Sequence, residues 1–164
     1  MRVLGLDPGL NRTGYAVLRV SDCRLIEGGV IRSDAAGTLS QRLLELRDGL
    51  REVLDEHPID AAAIEKVFSL TKNPKPALLM AHARGALLVT LAEYALVPEH
   101  YTPRQIKKRL TGSGNADKEQ IQRAVQRELN LAKVLEPNDV ADAAAVALCL
   151  AGDPRMRAAG EAIR

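Results

Sequence analysis

Large aromatic side chains are almost missing from this 164-residue chain, which has one Phe, three Tyr and no Trp. Leu, Val, Ile and Ala must therefore fill its core, and the length suits one domain with a proper interior. Cysteine is scarce as well. Cys23 and Cys149 lie far apart, each in apolar surroundings, so the chain has neither a disulfide framework nor a thiolate metal-ligand spacing. Free buried thiols in a reducing compartment are expected. Long apolar runs are absent: residues 74–96 come nearest to a membrane span but are interrupted by Lys75, His82, Arg84 and Glu93. The apolar run at the amino terminus is too short for a signal peptide and is broken by Asp7. These absences predict a cytoplasmic protein with no membrane partner. There is no internal repeat and no low-complexity segment.

Net charge is a modest +2, but its distribution is uneven. Residues 66–84 hold four basic side chains (Lys66, Lys72, Lys75, Arg84) and no acid. Residues 101–133 hold eight basic side chains against Asp117, Glu119 and Glu128. Residues 38–58 are slightly acidic. Positive charge gathered in this way is the footprint of a polyanion binder, although solvated helix faces can also look basic.

The first fourteen residues organise the rest. Val3, Leu4 and Leu6 read as a strand buried on both faces. The run stops at Asp7, and Pro8-Gly9 forces a turn before a second strand begins at Tyr15. A carboxylate is thereby held at the end of a central strand, beside glycines that let a ligand approach the backbone. Residues 23–31 read as a third strand, giving an antiparallel meander. Thr38 or Ser40 caps a helix whose Leu39, Leu43, Leu46, Leu50 and Leu54 recur at three- and four-residue intervals, ending near Pro58. Residues 59–64 form another short apolar strand, and it too ends in a carboxylate, Glu65.

Residues 66–76 contain two prolines and read as a loop. Residues 77–95 read as a long helix rich in Ala and Gly, more apolar than one sheet face requires, so a second subunit is expected to cover part of it. Residues 97–101 are a candidate strand. Thr102-Pro103 starts a helix over 103–110 that carries Lys107, Lys108 and Arg109. Residues 117–131 form the next helix, with Ile121, Val125 and Leu129 on one stripe. Residues 139–151 are a final helix of Ala, Val and Leu whose first turns carry Asp139 and Asp142, three apart and so on one face. Acids near a helix start favour its macrodipole, which accounts for Asp139 alone. Asp142 sits in an apolar run and needs a cation or a metal if buried. The chain from Asp153 alternates charges with Ala and reads as a frayed tail, leaving residues 1–152 as the domain and 153–164 as a flexible end.

If the two acid-tipped strands are neighbours and the last helix packs over them, Asp7, Glu65, Asp139 and Asp142 meet at one sheet edge. Such a cluster repels itself unless divalent ions bind. Oxygen ligands without His or Cys favour Mg²⁺ or Mn²⁺. Two such ions activate water and stabilise the leaving oxygen in phosphodiester hydrolysis.

The sequence Leu6-Asp7-Pro8-Gly9 with Thr13-Gly14, then Ile64-Glu65-Lys66-Val67-Phe68, then Asp139-Val140-Ala141-Asp142-Ala143-Ala144, resembles the RuvC family of Holliday-junction resolvases. These belong to the ribonuclease H-like superfamily. The resemblance spans essentially the whole chain and includes the Gly112–Lys118 region. It implies an α/β fold with a mixed five-stranded sheet flanked by helices, a homodimer, and cleavage of four-way junction DNA in paired strands with two metal ions per site. A RuvA–RuvB branch-migration partner is also implied. Asp7, Glu65, Asp139 and Asp142 match the family's acidic positions, the last of which is His in some relatives. Lys107 and Lys118 match its basic residues near the scissile phosphate, and Phe68 an aromatic at the junction centre. Lys72, Lys75 and Lys108 are further candidate DNA contacts. Three alternatives stay open. A YqgF-type ribosomal RNA nuclease has a similar amino-terminal motif. A non-catalytic junction-binding scaffold is disfavoured by four intact acids, and an actin-like or sugar-kinase ATPase by the absence of a second lobe.

Overall fold

The computed structural model describes residues 1–66 and 74–162. Five strands form one sheet: β1 (Arg2–Asp7), β2 (Arg12–Arg19), β3 (Arg24–Arg32), β4 (Ala61–Glu65) and β5 (Glu99–Tyr101), in the order β3-β2-β1-β4-β5. The first three are antiparallel, whereas β4 runs parallel to β1 and β5 parallel to β4. The sheet is therefore mixed, and its acid-tipped strands β1 and β4 are direct neighbours.

Alternation along β1 divides the molecule into two layers. Leu4 and Leu6 point to the layer of α1 (Leu39–Glu56) and α2 (Pro74–Glu93), where they join Leu46, Leu50, Leu87 and Leu91. Each fully buried leucine there contributes about 1.5–3 kcal/mol. α1 begins in a capping box in which Thr38 and Gln41 satisfy each other's backbone N–H groups. Val3 points to the other layer, formed by α3 (Pro103–Thr111), α4 (Lys118–Glu128) and α5 (Asn138–Ala151).

α5 lies unusually close to the sheet because glycine and alanine meet there. A Cβ at Gly5 would sit 2.3 Å from the Ala143 carbonyl oxygen, and one at Gly14 would sit 2.0 Å from that of Asp139. Gly5 thus meets the middle of α5 and Gly14 its first turn. The helix therefore starts over the end of β1 that carries Asp7. With large aromatics scarce, backbone-to-backbone approach fills much of this layer.

Several element limits differ from the sequence reading. α2 starts at Pro74, so residues 74–76 form its first turn rather than a loop; proline is tolerated there because the first helical N–H groups have no partner within the helix. β5 is only three residues long, and Val97 lies outside it, almost fully exposed. α4 stops at Glu128 because Asn130 turns into the left-handed region, with φ of 50°. Where a frayed tail is expected, Pro154–Ala162 forms a sixth helix, α6, with Met156 packed on the core. The Asp153 carboxylate accepts the Arg155 N–H and its carbonyl accepts those of Met156 and Arg157, which starts the helix. Both cysteines are free, Cys149 buried and Cys23 half-buried. Among the described residues no helix is long and apolar enough to cross a membrane.

Candidate active site

Period-two alternation puts Asp7 on the same face as Val3 and Gly5, and Glu65 on the same face as Ala63, which is the α5 face. Leu6 pairs with Ile64, so the two acids leave their strands side by side. α5 adds Asp139 and Asp142 from above. Asp7, Glu65 and Asp142 share a cavity of about 290 Å³ with Lys107 from α3, Lys118 from α4, and Pro103, Ile106, Ile121 and Ala145. Lys118 Nζ lies 3.5 Å from Asp142 Oδ2. Asp139 stands beside this cavity, its Oδ2 2.7 Å from Arg12 Nη2.

The electrostatics are those of a site short of positive charge. Burial, reinforced by Glu65, Asp142 and Asp139, pushes the Asp7 carboxyl up to about 8 despite Lys118. Burial and Asp142 push Glu65 up to about 7, with Lys107 opposing. Asp142 is also raised by burial, Lys118 pulling the other way. Two lysines thus fail to compensate the acids. With oxygen donors alone and no His or Cys in the lining, the unmet demand fits a hard divalent cation such as Mg²⁺ or Mn²⁺.

A larger cavity, about 640 Å³, lies near Val20–Cys23, Arg109 and Arg157. Size does not make it the better candidate. Asp22 pairs there with Arg19 at 2.6 Å and Glu128 with Arg127 at 3.5 Å, so each acid of its lining has a cationic partner.

Of the other sequence candidates, Lys75 is exposed on the first turn of α2 and Lys108 is exposed on α3, neither in the acidic cavity. Phe68 and Lys72 lie outside the described residues. Two arginines escape a reading of the sequence. Arg12 reaches Asp139 across the fold. Arg84 on α2 donates from Nε to the Glu65 carbonyl at 3.2 Å, and its Nη2 lies 2.7 Å from His100 Nδ1. Neither contact is encoded in a local period, because each joins elements distant in sequence.

A sequence model of the family described as crossover junction endodeoxyribonuclease RuvC matches residues 3–150. The chain belongs to the RuvC family. Its relative from Rhodopirellula baltica, named crossover junction endodeoxyribonuclease RuvC, is 48% identical over 157 residues, covering 93% of this chain and 88% of the relative. RuvC from Thermus thermophilus superposes with a TM-score of 0.87 at 32% identity, covering 95% of this chain and 96% of that one. The Thermus RuvC solved in complex with a Holliday junction substrate gives 0.86 at 30% identity, covering 98% and 97%. The ribonuclease H-like sheet and its flanking helices are thus those of RuvC enzymes.

Proposed function

We propose that this protein is a metal-dependent endodeoxyribonuclease that resolves four-way DNA junctions, with Asp7, Glu65, Asp139 and Asp142 holding two Mg²⁺ or Mn²⁺ ions per site. The observation that carries this reading is the convergence of Asp7, Glu65 and Asp142 with Lys107 and Lys118 in one cavity, their carboxyls raised by burial and mutual repulsion. Bound divalent ions supply Lewis-acid polarisation of the phosphate and make water a competent nucleophile near neutral pH. The chain supplies the rest. Asp7, whose carboxyl is pushed up to about 8 by burial and by the three other acids, would give up its proton to hold a cation. Lys118 and Lys107 offset acid charge in the cavity and would stabilise the charge that builds on phosphate oxygens. Phe68, Lys72, Lys75 and Lys108 are assigned to the junction. Phe68 stacks on a distorted base step and the lysines contact phosphates.

A homodimer delivers two such sites to one four-way junction. Support comes from α2, where Leu78 and Val89 are about 60% exposed and align with exposed His82 and Gly85 at i, i+4, i+7 and i+11. No Cβ contact lies within 4 Å of Gly85, so the face has room for another surface. A RuvA–RuvB complex that moves the junction is the partner assigned to the dimer, and the cytoplasm its compartment.

Labelled four-way, duplex and single-stranded DNA, and a ribosomal RNA precursor, incubated with the protein in Mg²⁺ or in chelator, test the reading. Paired nicks at symmetry-related positions in the four-way substrate alone, only with Mg²⁺, are expected. Cleavage of the RNA with the junction left whole would replace it with the RNA-processing alternative. A Val89→Lys protein should sediment as a monomer at micromolar concentration and lose the pairing of nicks. Wild type sedimenting as a monomer would remove the dimer.

A further inference from the structure

Arg12 stands on β2 two residues before Gly14, so both lie on the sheet face that α5 covers. Gly14 is where the first turn of α5 comes down onto the strand, and this close approach brings Asp139 within reach of Arg12. The contact is lopsided. Nη2 meets Asp139 Oδ2 at 2.7 Å, whereas Nε is buried and has no hydrogen-bond partner. A guanidinium serving as a fixed clamp on a carboxylate normally engages it through two N–H groups in parallel. Here one donor holds the acid and another is left bare in the interior, a cost that a purely structural pair would not carry. Charge accounts for the arrangement better than geometry. Asp139 adds to the repulsion felt by Asp7 and Asp142, and Arg12 is the cation that faces it from β2.

We propose that Arg12 is the internal counter-ion of Asp139 in the ion-free protein and competes with divalent cations for that carboxylate. The inference rests on the assignment of Asp139 to a metal site. Arg12 then sets how much free divalent ion the enzyme needs. It stabilises the empty site and must give up Asp139 for the site to fill. A residue that merely oriented Asp139 would have the opposite effect on ion affinity, since its loss would weaken binding.

The test is a Mn²⁺ titration of the full chain, without DNA, near neutral pH, read by melting temperature and by the electron paramagnetic resonance signal of free Mn²⁺. Arg12→Gln should lower the half-saturating Mn²⁺ concentration by roughly two- to fivefold, the range set by an ion pair of this exposure. Arg12→Lys, still cationic, should stay close to wild type. The ion-free Arg12→Gln protein should melt below wild type. Arg12→Met, which keeps the apolar stem, carries the same expectation should the Gln protein fold poorly. Unchanged or weaker Mn²⁺ binding by the uncharged variants, with wild type binding normally, would overturn the competition and leave the metal site standing. Failure of wild type itself to bind Mn²⁺ would instead remove the metal assignment.

Discussion

Two groups of acids sit on opposite faces of the same sheet, and they are built on opposite principles. On the α1 face, Glu27, Glu56 and His57 bring their ligand-type atoms within 4.8 Å of one another. Glu27 is satisfied by protein groups alone: Tyr15 donates its hydroxyl to Oε1 at 2.5 Å and His57 donates from Nε2 to Oε2 at 2.6 Å. Those two hydrogen bonds, with Tyr15 first, hold the Glu27 carboxyl below the usual carboxylate range. On the α5 face, burial and mutual repulsion hold Asp7, Glu65 and Asp142 above it. Closeness of acids therefore does not by itself mark a metal site. The direction in which Glu27 shifts, opposite to that of Asp7, Glu65 and Asp142, separates a carboxylate satisfied by protein groups from acids whose charge the protein leaves uncompensated.

Removing one acid should distinguish the clusters most sharply through activity. Under the proposed assignment, Asp7→Asn, Glu65→Gln, Asp139→Asn and Asp142→Asn should each lower junction cleavage on the order of a thousandfold or more, since each would take away a charge that holds the ions. Junction binding, measured by gel shift, should survive because phosphate contacts supply the affinity. An active Glu65→Gln protein would take that residue out of the mechanism. Glu27→Ala should leave cleavage intact.

The next contrast is geometric. Gly14→Ala places a methyl against the Asp139 carbonyl, so α5 must lift away from the sheet. A destabilisation of about 1–3 kcal/mol should accompany loss of cleavage, read by denaturant melts and junction assays. Normal cleavage by this variant would mean that the acids tolerate a displaced helix.

Stability should respond to Glu27 in the conventional direction. Glu27→Ala leaves Tyr15 and His57 without their acceptor and should destabilise by about 1–3 kcal/mol, by the same amount with or without Mg²⁺. The pH dependences also oppose each other. The lowered Glu27 carboxyl contributes stability above its unfolded value of about 4.5, lost as pH falls through its folded value. The raised acids favour the ion-free fold below their unfolded values, an advantage lost as pH rises from about 4 through the 7 and 8 of Glu65 and Asp7. Ion-free protein should therefore melt lower at pH 8 than at pH 6, and Mg²⁺ should flatten that slope. A melting temperature that climbs from pH 6 to pH 8 in chelator would contradict it.

Much of this arrangement was legible in the residues. Asp7 and Glu65 each close a short apolar run, and the three-residue spacing of Asp139 and Asp142 stands out in an Ala-rich helix; strand and helix periods carry that information. Thr38, Thr102 and Asp117 announce their helices through local capping. α6 was legible too, in the Asp153-Pro154 pair that caps and starts it, but the alternating charges around the pair hid the signal. The links through Arg12, Arg84 and His57 were not legible. Each joins residues that only the folded chain brings together, and no local period encodes them. His57 shows this most clearly: as the residue that caps α1 it continues the buried stripe of Leu50 and Leu54 and reads as core, yet its partner lies 30 residues away on β3.

The central claim is that the acids on the α5 face strain the empty protein and are relieved by cations. Melting of wild type and Asp7→Asn in chelator at pH 8, and again in Mg²⁺, tests it most directly. Two carboxylates about 5 Å apart repel by ~3 kcal/mol at an effective dielectric of 20. Asp7→Asn should therefore be more stable than wild type in chelator by something on the order of 1–3 kcal/mol. Mg²⁺ should raise wild type through linkage and raise the variant less, closing or reversing the gap. An Asp7→Asn protein that melts below wild type in chelator would mean that Asp7 is a structural acid, and the strained cluster would lose its centre.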